Sequence, residues 1–246
     1  MSPRQPSPTA RYALATDPGR VRENNEDCVQ AVPELGLFVV ADGMGGHIAG
    51  EIASRLATET LIEAVRARRR PRRIMDEAPL LGEALMVAHL AVMREAQQRE
   101  LHGMGTTLTA LVVRGRTATI AHIGDSRACL VHKHQMIPLT QDHTLVALLV
   151  ESGAIPADEA KDHPERHVLT QAIGPPTELD PDITQARIPR GARILLSSDG
   201  LHDVVAADEI LELAEIVDVD EAVQRMVERA NALGGPDNIT ALLVEP

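Results

Sequence analysis

The sequence predicts an α+β domain with sheets inside and helices outside. Segments of strand texture and segments of helical periodicity are segregated along the chain, and the strict alternation of a doubly wound parallel sheet is absent. Aromatic residues make up only 1% of the 246 residues, with one Tyr, one Phe and no Trp, so the core must be built from Ala, Val, Leu, Ile and Met. Hydrophobic residues at 44% and charged residues at 24% are ordinary for a globular protein, and the length suits one large domain.

The elements follow in order. Residues 1–8 carry three prolines and no apolar pattern, and read as a disordered tail ahead of a single domain spanning 9–246. Leu35 to Ala41 is a continuous apolar run closed by Asp-Gly, as a buried strand would be. Ala49 to Arg66 places Ile52, Leu56, Leu61, Ile62 and Val65 at helical spacing, and Gly82 to Gln98 repeats the pattern. The arginine-rich run between them, Arg66 to Arg73, reads as a solvated loop or as a docking patch for an acidic partner. Thr106 to Val113, Thr117 to Ile123 and Ala128 to His132 are β-rich and parted by glycine turns, which predicts consecutive antiparallel strands. Residues 142–174 are polar, with a short apolar helix near Leu145 to Val150, and read as a loosely packed insertion or flap. A strand at Arg193 to Ser197, a helix from about Asp220 to Leu233 and a strand from Ile239 to Val244 complete the chain.

A formal net charge of −12 argues against nucleic-acid binding, which rests on phosphate neutralisation by Lys and Arg. The near absence of aromatics removes a stacking platform for bases or sugars. Cys28 and Cys129 form no disulfide framework and no metal-ligand spacing. No apolar run approaches a membrane span and the N-terminus has no apolar signal core, so a cytoplasmic protein is expected.

Asp27, Asp42, Asp199 and Asp237 each sit next to glycine or at a strand end in short unusual sequences. Any one of them alone reads as a turn or cap aspartate. Together they exceed what a core tolerates unless something pairs them, and hard divalent cations such as Mg²⁺ and Mn²⁺ take oxygen ligands of this kind. In this reading Gly43 and Gly200 let the backbone after each aspartate adopt a conformation that turns a carbonyl inward. Arg22 can clamp a phosphoryl group with two hydrogen bonds. A nucleophile elbow, a P-loop, His-Glu-x-x-His and a dinucleotide fingerprint are all absent.

Seven motifs then coincide. They are Thr16-Asp17-x-Gly19-x-Val21-Arg22-x-x-Asn25-Glu26-Asp27, Val40-Ala41-Asp42-Gly43-Met44-Gly45-Gly46-His47, Gly103-Met104-Gly105-Thr106-Thr107-Leu108, His122-Ile123-Gly124-Asp125-Ser126-Arg127, Leu139-Thr140-Gln141-Asp142-His143, Leu196-Ser197-Ser198-Asp199-Gly200-Leu201 and Gly235-Pro236-Asp237-Asn238-Ile239-Thr240. In this order they resemble the bacterial metal-dependent protein Ser/Thr phosphatases of the type 2C (PPM) family. The resemblance covers residues 16–244.

It implies a four-layer α-β-β-α sandwich of two antiparallel sheets flanked by helices, with metals in a cleft at one end. It implies that Asp42 bridges two Mn²⁺ or Mg²⁺ ions with help from the Gly43 carbonyl. Asp199 and Asp237 would complete one shell and Asp27 would bind a metal or its waters. Asp125 would go with a third, weaker ion. Glu26 stands where many relatives have Gln, outside the immediate ligands. Arg22 would bind phosphate. Animal members have His directly after Asp-Gly, where this chain has Met44. The general acid is therefore open between His47, a water and no essential group. The implied activity is direct in-line hydrolysis of phosphoserine or phosphothreonine by a bridging water, by a monomer that opposes a Ser/Thr kinase. Residues 142–174 match the family's flap, placed to choose substrates. A phosphoprotein-binding relative without catalysis, or a phosphatase for a small metabolite or an anti-sigma antagonist, would share much of this sequence.

Overall fold

A computed structural model describes residues 10–46, 48–68 and 76–246. The expected tail, His47 and residues 69–73 of the arginine run lie outside the described residues. In chain order the strands and helices are β1 (Arg11–Asp17), β2 (Asp27–Val32), β3 (Leu37–Met44), α1 (Ile48–Arg68), α2 (Glu77–Gln98), β4 (Gly105–Thr106), β5 (Leu108–Arg114), β6 (Thr117–Ile123), β7 (Arg127–Val131), β8 (Met136–Pro138), α3 (Leu145–Glu151), β9 (Asp182–Arg187), β10 (Arg193–Ser197), α4 (Asp199–His202), α5 (Ala207–Ala214), α6 (Val219–Ala232) and β11 (Ile239–Glu245).

Two antiparallel sheets result. One has the order β1-β11-β10-β7-β8. The other has the order β2-β3-β5-β6-β9, with β4 paired to β3. The strand sequences explain the layering. Along β3, Leu37 and Val39 join the apolar cluster under α1 and α2, while Phe38 and Val40 point into the space between the sheets. Along β11, Ala241 and Leu243 meet α6, while Leu242 and Val244 face the other sheet. A strand buried on both faces reads as an unbroken apolar run, because the period of two has a core on either side. The four-layer α-β-β-α sandwich is the observed fold. Tyr12 and Phe38 lie ring to ring between the sheets at 5.5 Å. Elsewhere Ala, Val, Leu and Ile fill the interior.

Several boundaries differ from expectation for local reasons. Helix α2 begins at Glu77, before the expected Gly82, because Asp76 caps it by accepting from the Ala78 N–H and Pro79 is tolerated in a first turn. Strands β1, β2, β8 and β9 were not expected from the sequence. Of these, β8 and β9 are sheet edges with exposed or half-exposed faces and little apolar signal. The expected run of three consecutive paired strands breaks at its second turn. β5 and β6 pair, but β7 crosses to the other sheet and pairs with β10. The crossing occurs at Gly124, whose φ of +102° and close approach to Thr107 exclude a side chain. Among the described residues no helix is long and apolar enough to cross a membrane.

Candidate active site

The strand ends gather at one end of the sandwich. Asp27 opens β2 and stands opposite Asp42 of β3 in the antiparallel register. Asp125 lies in the turn after β6, Asp199 starts α4 directly after β10, and Asp237 sits in the turn before β11. Arg22 lies in the loop that carries the chain from one sheet to the other. That loop is held by Asn238, a buried side chain that accepts from the Glu26 N–H at 2.7 Å and donates to the carbonyls of Pro18 and Asn24 at 3.0 and 2.8 Å. Arg22, Asp42, Gly43, Asp125, Asp199 and Asp237 line one cleft of about 550 Å³.

The carboxylates are held from behind. Asp27 Oδ2 accepts from the hydroxyls of Ser198 and Thr240 at 2.7 and 2.6 Å. The Asp42 backbone is clamped by Thr107, whose hydroxyl oxygen accepts from the Asp42 N–H at 2.9 Å and whose N–H donates back to the Asp42 carbonyl at 2.8 Å. Arg22 Nη2 donates to Asp237 Oδ2 at 2.8 Å, so its guanidinium is aimed at the carboxylate cluster while remaining half exposed.

The glycines after Asp42 and Asp199 are required by packing. Neither Gly43 nor Gly200 has a positive φ. A Cβ on Gly43 would lie 2.2 Å from the Gly50 carbonyl oxygen of α1, and one on Gly200 would lie 2.0 Å from the Asn238 carbonyl oxygen. Both are glycine because backbone packs directly on backbone beside each carboxylate, which fixes the aspartates in place. Glu26 is turned toward the start of α1, where its Oε2 occupies the space a Cβ on Gly50 would need.

Burial and mutual repulsion weaken these carboxylic acids, raising their pKa values. Burial lifts Asp27 to about 7, with the Asp199 and Asp237 charges adding to it against its two hydroxyl hydrogen bonds. Burial, then Asp199, Asp142 and Asp203, lift Asp125 to about 8. Burial, then Asp237 and Asp203, lift Asp199 to about 6. Asp42 is pushed well above the carboxylate range by burial and by Asp27, Asp199, Asp125 and Asp237. Among the described residues, Asp27 Oδ1 and Asp199 Oδ1 are buried with no hydrogen-bond partner. Buried anions that repel one another and leave oxygens unpaired are what a divalent cation would relieve, and an all-oxygen donor set suits Mg²⁺ or Mn²⁺. The residues present therefore fit such ions.

The sequence reading missed some of the site. His167, from the flap, reaches Asp199 and Asp203 at 3.7 and 3.9 Å. Among the described residues, three metal-capable donor atoms come within 4.8 Å of one another only at His167, Asp199 and Asp203. Asp203 was legible, being one helical turn after Asp199. His167 was not, because a tertiary contact brings it there.

Residues 151–168 of the flap are mostly exposed, as expected of a loose insertion, but its base is tied down. Arg127 grips the Asp142 carboxylate at 2.6 to 3.1 Å. Buried His143 donates its N–H to the Gly124 carbonyl at 2.7 Å and accepts the Gly124 N–H on Nδ1 at 3.2 Å. Its Nε2 then carries the proton and donates to Asp182 at 3.3 Å. The flap thus hangs from the turn that carries Asp125.

Comparisons with known proteins agree with this geometry. The protein phosphatase 2C family model matches residues 20–243. The serine/threonine protein phosphatase PstP of Mycobacterium tuberculosis is 38% identical over 242 residues, covering 96% of this chain. The chain spans only 45% of the length of that relative. Protein phosphatase PhpP of Streptococcus pneumoniae is 35% identical over 244 residues, covering 94% of this chain and 96% of that protein. A crystal structure of the PstP catalytic domain in complex with two manganese ions superposes with a TM-score of 0.85 at 37% identity, covering 96% of this chain and 97% of that one.

Proposed function

The chain belongs to the protein phosphatase 2C family, and from that premise we propose that it is a metal-dependent protein serine/threonine phosphatase. Its substrates are phosphoserine and phosphothreonine in proteins, and its work in the cell is to oppose a Ser/Thr kinase, as a cytoplasmic monomer. A single domain from residue 9 onward is supported by three apolar layers whose members run from Ala13 to Val244. The observation that carries the reading is the convergence of Asp42, Asp125, Asp199 and Asp237 from separate strand ends on one cleft, with Asp27 opposite Asp42 on the neighbouring strand and, among the described residues, the buried Asp27 Oδ1 and Asp199 Oδ1 left unpaired.

Asp42, Asp27, Asp199 and Asp237 would hold two Mn²⁺ or Mg²⁺ ions, with the Gly43 carbonyl beside them and Asp125 serving a third. When bound, these cations supply Lewis acidity that activates water for in-line attack on phosphorus and offsets charge building on the phosphoryl oxygens. The chain's own part is orientation. The clamps on Asp42 and Asp27 fix the carboxylates before substrate arrives, so little reorganisation is needed as charge develops. Arg22, anchored through Asp237, offers its remaining N–H donors to the phosphoryl oxygens. No side chain becomes phosphorylated in this reading. Among the described residues His167 is the one imidazole that lines the cleft.

Arg22 provides the test. Arg22→Ala is expected to lower kcat/KM for a phosphothreonine peptide by about 10- to 100-fold, as the loss of one charge-assisted clamp would. Mn²⁺ binding, followed by calorimetry, should survive the change. An unchanged kcat/KM would remove Arg22 from phosphate recognition.

A further inference from the structure

The buried face of α2 carries one polar side chain. Leu81, Ala84, Leu85, Ala88 and Val92 are buried there, and so is His89, an imidazole left only 4% exposed. A polar group in such a place costs stability unless it is hydrogen-bonded. His89 Nδ1 accepts the buried Gly174 N–H at 3.2 Å, so in the neutral ring the proton is on Nε2. Gly174 is held close on every side. Its φ is +108°, and a Cβ there would lie 2.7 Å from Val92 Cγ1 and 2.9 Å from the Met104 carbonyl oxygen. Both flanks of this turn reach the catalytic cleft. Ala172 and Pro175 line it directly. Ile173 exchanges hydrogen bonds with Thr106 at 2.8 and 3.0 Å, and the Thr106 hydroxyl donates to the Asp42 carbonyl at 2.8 Å.

We infer, resting on the phosphatase reading, that His89 is a positioning residue for the reaction: it holds the turn at Gly174 and, through that turn, the backbone of Asp42. It does not itself line the cleft. An aliphatic side chain of similar size would suit the apolar surroundings of α2, but it would leave the Gly174 N–H buried without an acceptor. The turn would then move to find one. Thr106 stands between Gly43 and Ile173, paired with each, so a displacement at Gly174 is passed to the backbone beside Asp42. A misplacement of about 1 Å, even from a change far from the chemistry, can cost about 100-fold in rate. The bond to Gly174 needs only an acceptor where Nδ1 stands, and an asparagine Oδ1 can take that place.

Two variants separate this role from bulk packing. His89→Leu keeps the volume and removes the acceptor; His89→Asn keeps an acceptor and loses volume. Hydrogen exchange should find the Gly174 amide slow in the wild type and in His89→Asn, and at least about tenfold faster in His89→Leu. With saturating Mn²⁺, kcat for an aryl phosphate should fall about tenfold in His89→Leu while KM changes less than about threefold. His89→Asn should stay within about twofold of the wild type in both constants. A packing role alone would give the reverse order, with the Leu variant the more active. That order, a His89→Leu protein with undiminished kcat, or one whose Gly174 amide stays protected would overturn the inference. Should His89→Leu fail to fold, His89→Asn decides: a protected Gly174 amide with retained kcat supports the inference, and loss of either overturns it. Exchange is read without substrate. A wild-type protein that protects Gly174 but hydrolyses no aryl phosphate would therefore overturn the phosphatase reading, leaving His89 a role in the fold alone.

Discussion

Asp42→Asn should lower hydrolysis by at least about 10³-fold, the scale expected when a central electrostatic element of a two-metal site is removed. The same change should make the metal-free protein more stable at pH 8. The two effects have one cause. Asp42 is half-buried at the cleft floor and faces Asp27, Asp199, Asp125 and Asp237, so its charge is opposed by theirs unless cations are bound. An asparagine of the same shape removes that charge and keeps the Thr107 clamp, which engages only the backbone. Burying an unpaired carboxylate costs several kcal/mol where burying an amide costs far less. Thermal unfolding in EDTA should therefore show the variant melting several degrees higher than the wild type. A variant that lost activity and also melted lower in EDTA would mean that Asp42 is structural and its charge already compensated.

The pH dependence of the metal-free protein should be as distinctive. Folding raises Asp27 to about 7, Asp199 to about 6 and Asp125 to about 8, from 3.8. The folded state thus binds more protons than the unfolded chain between these values. The stability these groups contribute is fully present below about pH 3.8 and is lost as pH rises through the folded values. Buried histidines act in the opposite sense but at lower pH. His122 is lowered to about 4 and His202 well below its usual value, both chiefly by burial, so each destabilises the fold as pH drops below about 6.5. Between pH 7.5 and 8.5, where a histidine of the unfolded chain has already lost its proton, the carboxylates dominate, joined toward the upper end by Cys28 and Cys129, whose thiols burial raises. The melting temperature in EDTA should fall across that range, and saturating Mn²⁺ should abolish the fall, because bound cations already hold the carboxylates deprotonated. A melting temperature in EDTA that is flat or rising from 7.5 to 8.5 would contradict the mutual repulsion described here.

The sequence carried the layering and the gathered carboxylates further than the reasons behind them. Asp42, Asp199 and Asp237 were legible because each follows or precedes an apolar strand and adjoins glycine or proline, and that local pattern survives folding. The role of the glycines was not legible. Gly43 and Gly200 meet backbone from α1 and from the turn before β11, contacts that no local window contains. The sheet change at Gly124 was hidden for a similar reason, since a glycine turn between two β-rich runs looks the same whether the strands pair or part. His167 and Asn238 act across more than 30 and more than 200 residues of chain respectively, and only the assembled sandwich brings them to the carboxylates. The helix of the flap, by contrast, was expected at nearly its observed place.

The central claim is that these carboxylates hold cations that hydrolyse a phosphoprotein. It is tested most directly by phosphate release from a phosphothreonine peptide, with wild-type protein first in EDTA and then with Mn²⁺ or Mg²⁺ restored. The account predicts no release in EDTA and full recovery on metal addition, with Asp42→Asn inert under both conditions. Release that persists in EDTA, or folded protein inert with either metal, would contradict it.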